Sequence, residues 1–190
     1  FSSAPLRGKK GTCYEGGMRV PFIASWAKAG KANPFKIARN HLHHEQIGTV
    51  MDIYSTILDA SHSSSPAKHP VDGVSLLPQL SGKSNQERPD HFMCHFPHSH
   101  RSSYFTSFRK GDWKLIYRYL TTAGKRKNKQ PIPKCELYNL KKDPYETKNL
   151  ALGNSKKTNE MIRLMTKQLE SENALFPVRD DLELRPQRIQ

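Results

Sequence analysis

Residues 113–119 read Trp-Lys-Leu-Ile-Tyr-Arg-Tyr, and the alternation of Trp113, Leu115, Tyr117 and Tyr119 with Lys114, Ile116 and Arg118 marks a β-strand. Period two gathers the large apolar side chains on one face, so one face of the sheet should be buried. Lys110-Gly111-Asp112 just before it is a tight-turn signal that joins this strand to Tyr104–Arg109 as an antiparallel hairpin. Phe92–Phe96 and Cys135–Leu140 read as further strands. Met161, Ile162, Leu164, Met165 and Leu169 recur at helical spacing and predict a helix over about 155–172 whose apolar stripe suits it to cover the sheet. Residues 173–190 show no periodicity and are expected to form an extended or disordered tail.

The first half is patterned differently. Val20-Pro21-Phe22-Ile23-Ala24-Ser25-Trp26 reads as a short buried strand with Pro21 near its start. Residues 27–45 read as loop, and Ile47, Val50, Met51, Ile53, Tyr54, Ile57 and Leu58 then define an amphipathic helix expected to pack on the sheet of that strand. Ser61–Pro66 and Lys83–Asp90 are polar linkers, which places a subdomain boundary near residue 85. The expected organisation is 1–85, 86–172 and the tail 173–190. No internal repeat is present. No stretch is apolar and long enough to span a bilayer.

Ahead of the first strand lies Leu6-Arg7-Gly8-Lys9-Lys10-Gly11-Thr12-Cys13-Tyr14-Glu15-Gly16-Gly17-Met18-Arg19-Val20-Pro21. Its glycines permit turns and close backbone approach to a ligand, and Lys10 adds a compact cation. An ammonium at such a place can bind a sulfate or phosphate ester and stabilise charge on the leaving oxygen. Composition alone equally allows an ordinary loop with a solvated lysine.

The register of Lys10-Gly11-Thr12, Tyr14-Glu15-Gly16-Gly17, Arg19 and Pro21 resembles the second signature of the sulfatase family. The resemblance continues through Val71-Asp72-Gly73-Val74-Ser75-Leu76-Leu77-Pro78, His95-Phe96-Pro97-His98, Arg109-Lys110-Gly111-Asp112-Trp113-Lys114, and Glu136-Leu137-Tyr138-Asn139-Leu140 with Asp143-Pro144. It implies an α+β and α/β arrangement, in which the end of an alkaline-phosphatase-like sulfatase α/β domain is followed by a small antiparallel sheet packed on a C-terminal helix. It also implies sulfate-ester hydrolysis, with Lys10 as the catalytic sulfate-binding lysine and His95, His98 and Arg7 as substrate contacts.

The family's formylglycine comes from a Cys/Ser-x-Pro/Ala-x-Arg motif that none of Cys13, Cys94 or Cys135 sits in, and its Ca2+ ligands would precede Phe1. Neither cofactor nor any other metal is therefore expected on this chain. It reads as the C-terminal portion of a longer enzyme, inactive alone and partnered by the missing N-terminal catalytic portion. A phosphate or phosphonate monoester hydrolase of the same superfamily, or a noncatalytic polyanion-binding module, are the alternatives. Family resemblance favours periplasm, secretion or lysosome.

The net charge of +14 arises from 31 Lys and Arg against 17 Asp and Glu and would attract any polyanion. Its densest run, Lys125-Arg126-Lys127-Asn128-Lys129, has no interleaved aromatics for base stacking, so specific nucleic-acid binding is not expected; the ligand that the resemblance implies is a sulfated small molecule or saccharide. That run reads as a solvated hairpin tip. His41, His43 and His44 read as solvated or capping rather than metal-binding residues. His95 has an alternative reading as a strand histidine satisfied by a backbone carbonyl. Arg19 beside Glu15 reads as a structural ion pair, and the three cysteines as small buried side chains.

Overall fold

A computed structural model describes residues 3–27, 34–44, 46–98, 104–123 and 130–189. Contacts gather into two compact units, Phe1–Val20 with His91–Gln190, and Pro21–Asp90. Along the chain run α1 (Glu15–Met18), α2 (Asp52–Ala60), α3 (Leu77–Leu80), β1 (His91–Phe96), β2 (Phe105–Lys110), β3 (Trp113–Arg118), β4 (Thr122–Ala123), β5 (Gln130–Pro131), β6 (Cys135–Asn139), α4 (Ser155–Ser171), β7 (Val178–Arg179) and β8 (Leu182–Glu183). No described helix is long and apolar enough to cross a membrane.

The larger unit is built on an antiparallel sheet of order β1-β2-β3-β6. Lys110 pairs with Trp113 across the predicted two-residue turn, where Gly111 takes φ +53°. Leu115, Tyr117, Cys135 and Leu137 pack with Met161, Ile162, Met165 and Leu169 of α4 in one buried core. α4 is capped by Asn154, whose side chain accepts from the Lys157 N–H. The opposite face is buried as well: Lys114, Ile116 and Arg118 are 1%, 0% and 5% exposed. A second cluster of Cys13, Phe105, Ile116, Tyr138 and Leu140 shows the cause, because the glycine-rich segment covers that face.

The expected tail is an ordered strap. The Gln187 N–H donates to Tyr117 Oη at 3.0 Å, and Asn159 exchanges hydrogen bonds with the backbone of Ile189 at 2.9 and 3.0 Å. Such a strap docks residue by residue, so it has no period to read. β4 pairs with β5 as the flanks of a hairpin, while the basic run 125–129 lies outside the described residues.

In the smaller unit the expected strand at Val20–Trp26 does not form. Phe22 and Ile23 are 56% and 88% exposed, and no described strand offers its backbone as a ladder partner, without which a strand is not stable. The helix expected from Ile47 starts at Asp52, and Val50, Ile53, Tyr54 and Ile57 are exposed rather than packed on a sheet. Its buried residue is Asp52, which accepts the N–H groups of Thr49 (2.5 Å) and Val74 (2.9 Å) and pairs with buried Arg88 (2.8 Å). Burial alone would raise the Asp52 carboxyl, but these donors and the guanidinium bring it below the usual range. Arg88 also donates to the carbonyls of Ile47 and Val74. That fastening draws residues 86–90 into this unit, so the division falls after Asp90 rather than near residue 85.

Candidate functional site

The site is built around the turn Lys9–Thr12. The Thr12 N–H donates to the Lys9 carbonyl at 3.0 Å, the Thr12 hydroxyl donates to the same oxygen at 2.8 Å, and the Lys9 N–H donates to Thr12 Oγ1 at 3.2 Å. Gly11 at the third position takes φ +85°, open to glycine and costly to other residues. Lys10 thus sits at the tip of a closed turn, exposed to solvent. Gly17 packs beneath it, where any Cβ would collide with the carbonyl oxygens of Lys9 and Thr12.

Two buried ionic clusters hold the segment to the sheet. In the first, Lys114 Nζ on β3 donates to Glu15 Oε1 at 2.8 Å and lies 2.9 Å from Glu146 Oε1, and the Glu15 N–H donates to Glu146 Oε2 at 2.7 Å. The three side chains are 2%, 8% and 0% exposed. Glu146 stands at φ +55°, a conformation that its surrounding contacts enforce. Burial, aided by the Glu15 charge and opposed by Lys114, raises its carboxyl above the ordinary value.

In the second cluster, Arg118 on β3 pairs with Glu136 on β6, which also accepts from Tyr14 (3.0 Å) and from Tyr138. Burial would raise Glu136, but the Tyr138 hydroxyl and the Arg118 guanidinium hold it below the usual range. Burial and the Glu136 charge push the Tyr14 hydroxyl up to about 12.

Arg7 links the two clusters. It donates to Tyr138 Oη and to the Glu146 carbonyl, both at 2.8 Å, and stacks 4.0 Å above the Tyr14 ring. Lys114, Arg118 and Arg7 balance Glu15, Glu146 and Glu136, so the pinned segment adds no net charge beneath Lys9 and Lys10. Arg7, the expected substrate contact, thus also helps fix the loop, with its side chain 43% exposed. The expected Arg19–Glu15 pair is replaced by Lys114–Glu15, with Arg19 exposed.

The two histidines part company. On β1, Cys94 and Phe96 pack toward the cluster that contains Cys13, and His95 points to the α4 face. Its Nδ1 is 2.7 Å from Thr106 Oγ1, which lies 2.8 Å from Tyr119 Oη. Its Nε2 is 2.8 Å from the Leu175 carbonyl. That carbonyl only accepts, so Nε2 carries a proton. Both nitrogens are used on the face away from the lysine turn. His98 is exposed, its ring 4.0 Å from that of Phe96 on the loop's own face.

Cys13 is buried against the Arg118 guanidinium, its thiol raised by burial, which suits the small buried side chain expected of it. The described residues gather no cluster of three His, Cys, Asp or Glu able to hold a metal ion.

Sequence reasoning missed Lys114, Arg118, Glu136 and Glu146. Charged residues in strand alternation read as a solvated face, and only the placement of the loop shows otherwise.

Comparison with known proteins agrees with this architecture. A 22% identical structure from Bacteroides thetaiotaomicron, described with that organism's metabolism of multiple glycosaminoglycans, superposes with a TM-score of 0.61 over 87% of this chain and 32% of its own. A sulfatase from Formosa agariphila is 29% identical over 181 residues, 90% of this chain and 30% of the relative. Human N-acetylgalactosamine-6-sulfatase is 25% identical over 197 residues, 95% of this chain and 35% of the relative. The chain thus spans about a third of the length of these relatives. The family model for N-sulphoglucosamine sulphohydrolase, C-terminal, matches residues 9–174, from the lysine turn through the sheet to the end of α4, and the chain belongs to that sulfatase family.

Proposed function

We propose that the protein containing this chain hydrolyses sulfate esters of an acidic saccharide, and that Lys10 binds the sulfate group and stabilises negative charge on the departing oxygen. The observation that carries this reading is the closed, pinned turn that holds Lys10 into solvent beside Lys9. A cation on a preorganised loop spends little reorganisation energy when charge develops. In this reading His98, exposed and with its ring 4.0 Å from that of Phe96, contacts the ring that bears the sulfate.

One relative acts by its name on 6-sulfated N-acetylgalactosamine, and the net charge of +14 suits a polyanionic saccharide of that kind. In this reading a formylglycine and Ca2+, held by residues outside this chain, supply the nucleophile and neutralise charge. What the chain itself does is bind, orient and stabilise the anion. In this reading the exposed apolar side chains Phe22, Ile23, Val50 and Ile57 of the smaller unit pack against further parts of the protein. An exported compartment suits such a substrate.

The reading is tested with 4-nitrophenyl sulfate. The longer protein turns it over and the Lys10→Ala variant loses at least a hundredfold in kcat, as expected for a lost charge stabiliser. The isolated chain turns over nothing. Sulfatase activity from the pure chain, or full activity in Lys10→Ala, refutes it, and preference for a phosphate monoester moves the protein to a neighbouring activity.

A further inference from the structure

The two ends of the loop that carries Lys10 meet on one residue. At the start of the loop, Arg7 Nη1 donates to the Glu146 carbonyl at 2.8 Å. At its end, the Glu15 N–H donates to Glu146 Oε2 at 2.7 Å, and Glu146 Oε1 lies 2.9 Å from Lys114 Nζ, which also holds Glu15. The ends are tied to each other as well: the Gly16 N–H donates to the Arg7 carbonyl at 2.8 Å, and a Cβ on Gly16 would stand 2.6 Å from that oxygen. Glu146 reaches both ends from a turn that is itself fixed. Its N–H donates to the Asp143 carbonyl at 3.2 Å, and the Asp143 carboxylate accepts from the N–H groups of Thr147 and Lys148 at 3.0 and 2.9 Å. The side chain is fully buried, and φ +55° is a costly conformation for a glutamate. Strain of that kind persists where surrounding contacts over-determine it, and here those contacts lead to one loop.

We propose that Glu146 is a positioning residue for Lys10, a clasp whose carbonyl and carboxylate hold both ends of the Arg7–Glu15 loop and so fix the place of the ammonium at its tip. The connection runs through α1. Glu15, held by the clasp, begins that helix, and Gly17 two residues on lies so close beneath the turn that a Cβ there would collide with the Lys9 and Thr12 carbonyls. A shift of Glu15 therefore moves the floor on which the turn rests. A charge stabiliser works only where charge develops, and a misplacement of about 1 Å costs a reaction up to about a hundredfold. The charged groups that face the carboxylate are Lys114 from β3 and Glu15 from α1, so its charge and its length set the clasp along with its bulk. The effect on turnover rests on the proposed role of Lys10; the effect on the turn does not.

The test is a cycle of Glu146→Gln, Lys10→Ala and the double variant in the longer protein, with 4-nitrophenyl sulfate turnover counted per folded molecule and amide hydrogen exchange followed in peptides that span Lys9–Thr12. Glu146→Gln keeps the bulk and loses the charge. It is expected to lower kcat about tenfold in the wild-type background and less than about twofold in Lys10→Ala, where no ammonium is left to misplace. A residue that merely supports the fold would cost the same factor in both backgrounds. Exchange at the turn is expected to quicken about tenfold in Glu146→Gln while the amides of β3 keep their rates. Should that variant fail to fold, Glu146→Asp keeps the charge and takes a left-handed backbone more readily, yet falls one methylene short of Lys114, and is expected to act in the same direction. Equal costs in both backgrounds, a kcat within about twofold of wild type in Glu146→Gln, or unchanged exchange at the turn each overturn the proposal. Lys10→Ala without effect on turnover, while Glu146→Gln still loosens the turn, overturns the hydrolase role of Lys10 alone.

Discussion

Replacing Lys114 by Met removes the only cation within ion-pair distance of Glu15 and Glu146 among the described residues, at 2.8 and 2.9 Å, and leaves two carboxylates buried under the loop. Losing one partner of a buried pair costs about 3–5 kcal/mol, because the remaining charge keeps its desolvation penalty without its attraction. For a chain of this size about 1 kcal/mol corresponds to roughly 2–4 °C in Tm, so the melting temperature should fall by about 10 °C. The deficit should depend on pH. Glu146 already has a raised carboxyl, and loss of the ammonium raises it further. A group with a raised folded-state value contributes stability below its unfolded value and loses it as pH rises through the folded one, so Lys114→Met should be least harmful in acid and most harmful above neutrality. The assay is thermal melting by circular dichroism across that range, for Lys114→Met, Glu146→Gln and the double variant. Glu146→Gln should recover part of the loss in the Lys114→Met background while costing stability alone. A Lys114→Met protein within 1 °C of wild type at all pH values, or a double variant whose costs simply add, would refute the ion cluster as the anchor of the loop.

Gly17→Ala forces a Cβ against the Lys9 and Thr12 carbonyls and should cost about 1–3 kcal/mol with displacement of the turn, read as a lower denaturation midpoint and weaker sulfate binding. Leu169→Ala, at a fully buried position of α4, should cost about 2–5 kcal/mol in urea unfolding, whereas Leu152→Ala at an exposed position should be nearly neutral. Asp52 has a lowered carboxyl, so the stability it contributes is present above its unfolded value and lost as pH falls through the folded one. Asp52→Asn should accordingly be destabilised at neutrality and show a flatter loss between neutral and acid pH, as measured by unfolding midpoints. Native Cys13 and Cys135 should resist a thiol reagent that reacts with all three cysteines in denaturant; rapid labelling of Cys13 in the native state would contradict its burial.

The elements that came directly from the residues are those with a strong local period. The alternation from Trp113, the Gly111-Asp112 turn and the stripe from Met161 to Leu169 placed β2, β3 and α4 within a residue or two, because period and turn chemistry act between near neighbours. The resemblance of the Lys10 segment to a sulfatase signature was equally legible, being a matter of residue order alone. Which charges are buried was not legible. Lys114 and Arg118 look like a wet face until a segment about a hundred residues earlier lies on them, and Glu146 becomes a ligand of Lys114 only through that placement. The same placement put His95 and the lysine turn on opposite faces, although both sat in motifs of one resemblance. Sequence by itself determined the strongly periodic elements and the family, since these depend on local order; tertiary structure decided burial, partners, faces and whether a weakly patterned run such as Val20–Trp26 becomes a strand, because those depend on which distant segments pair and exclude water from one another.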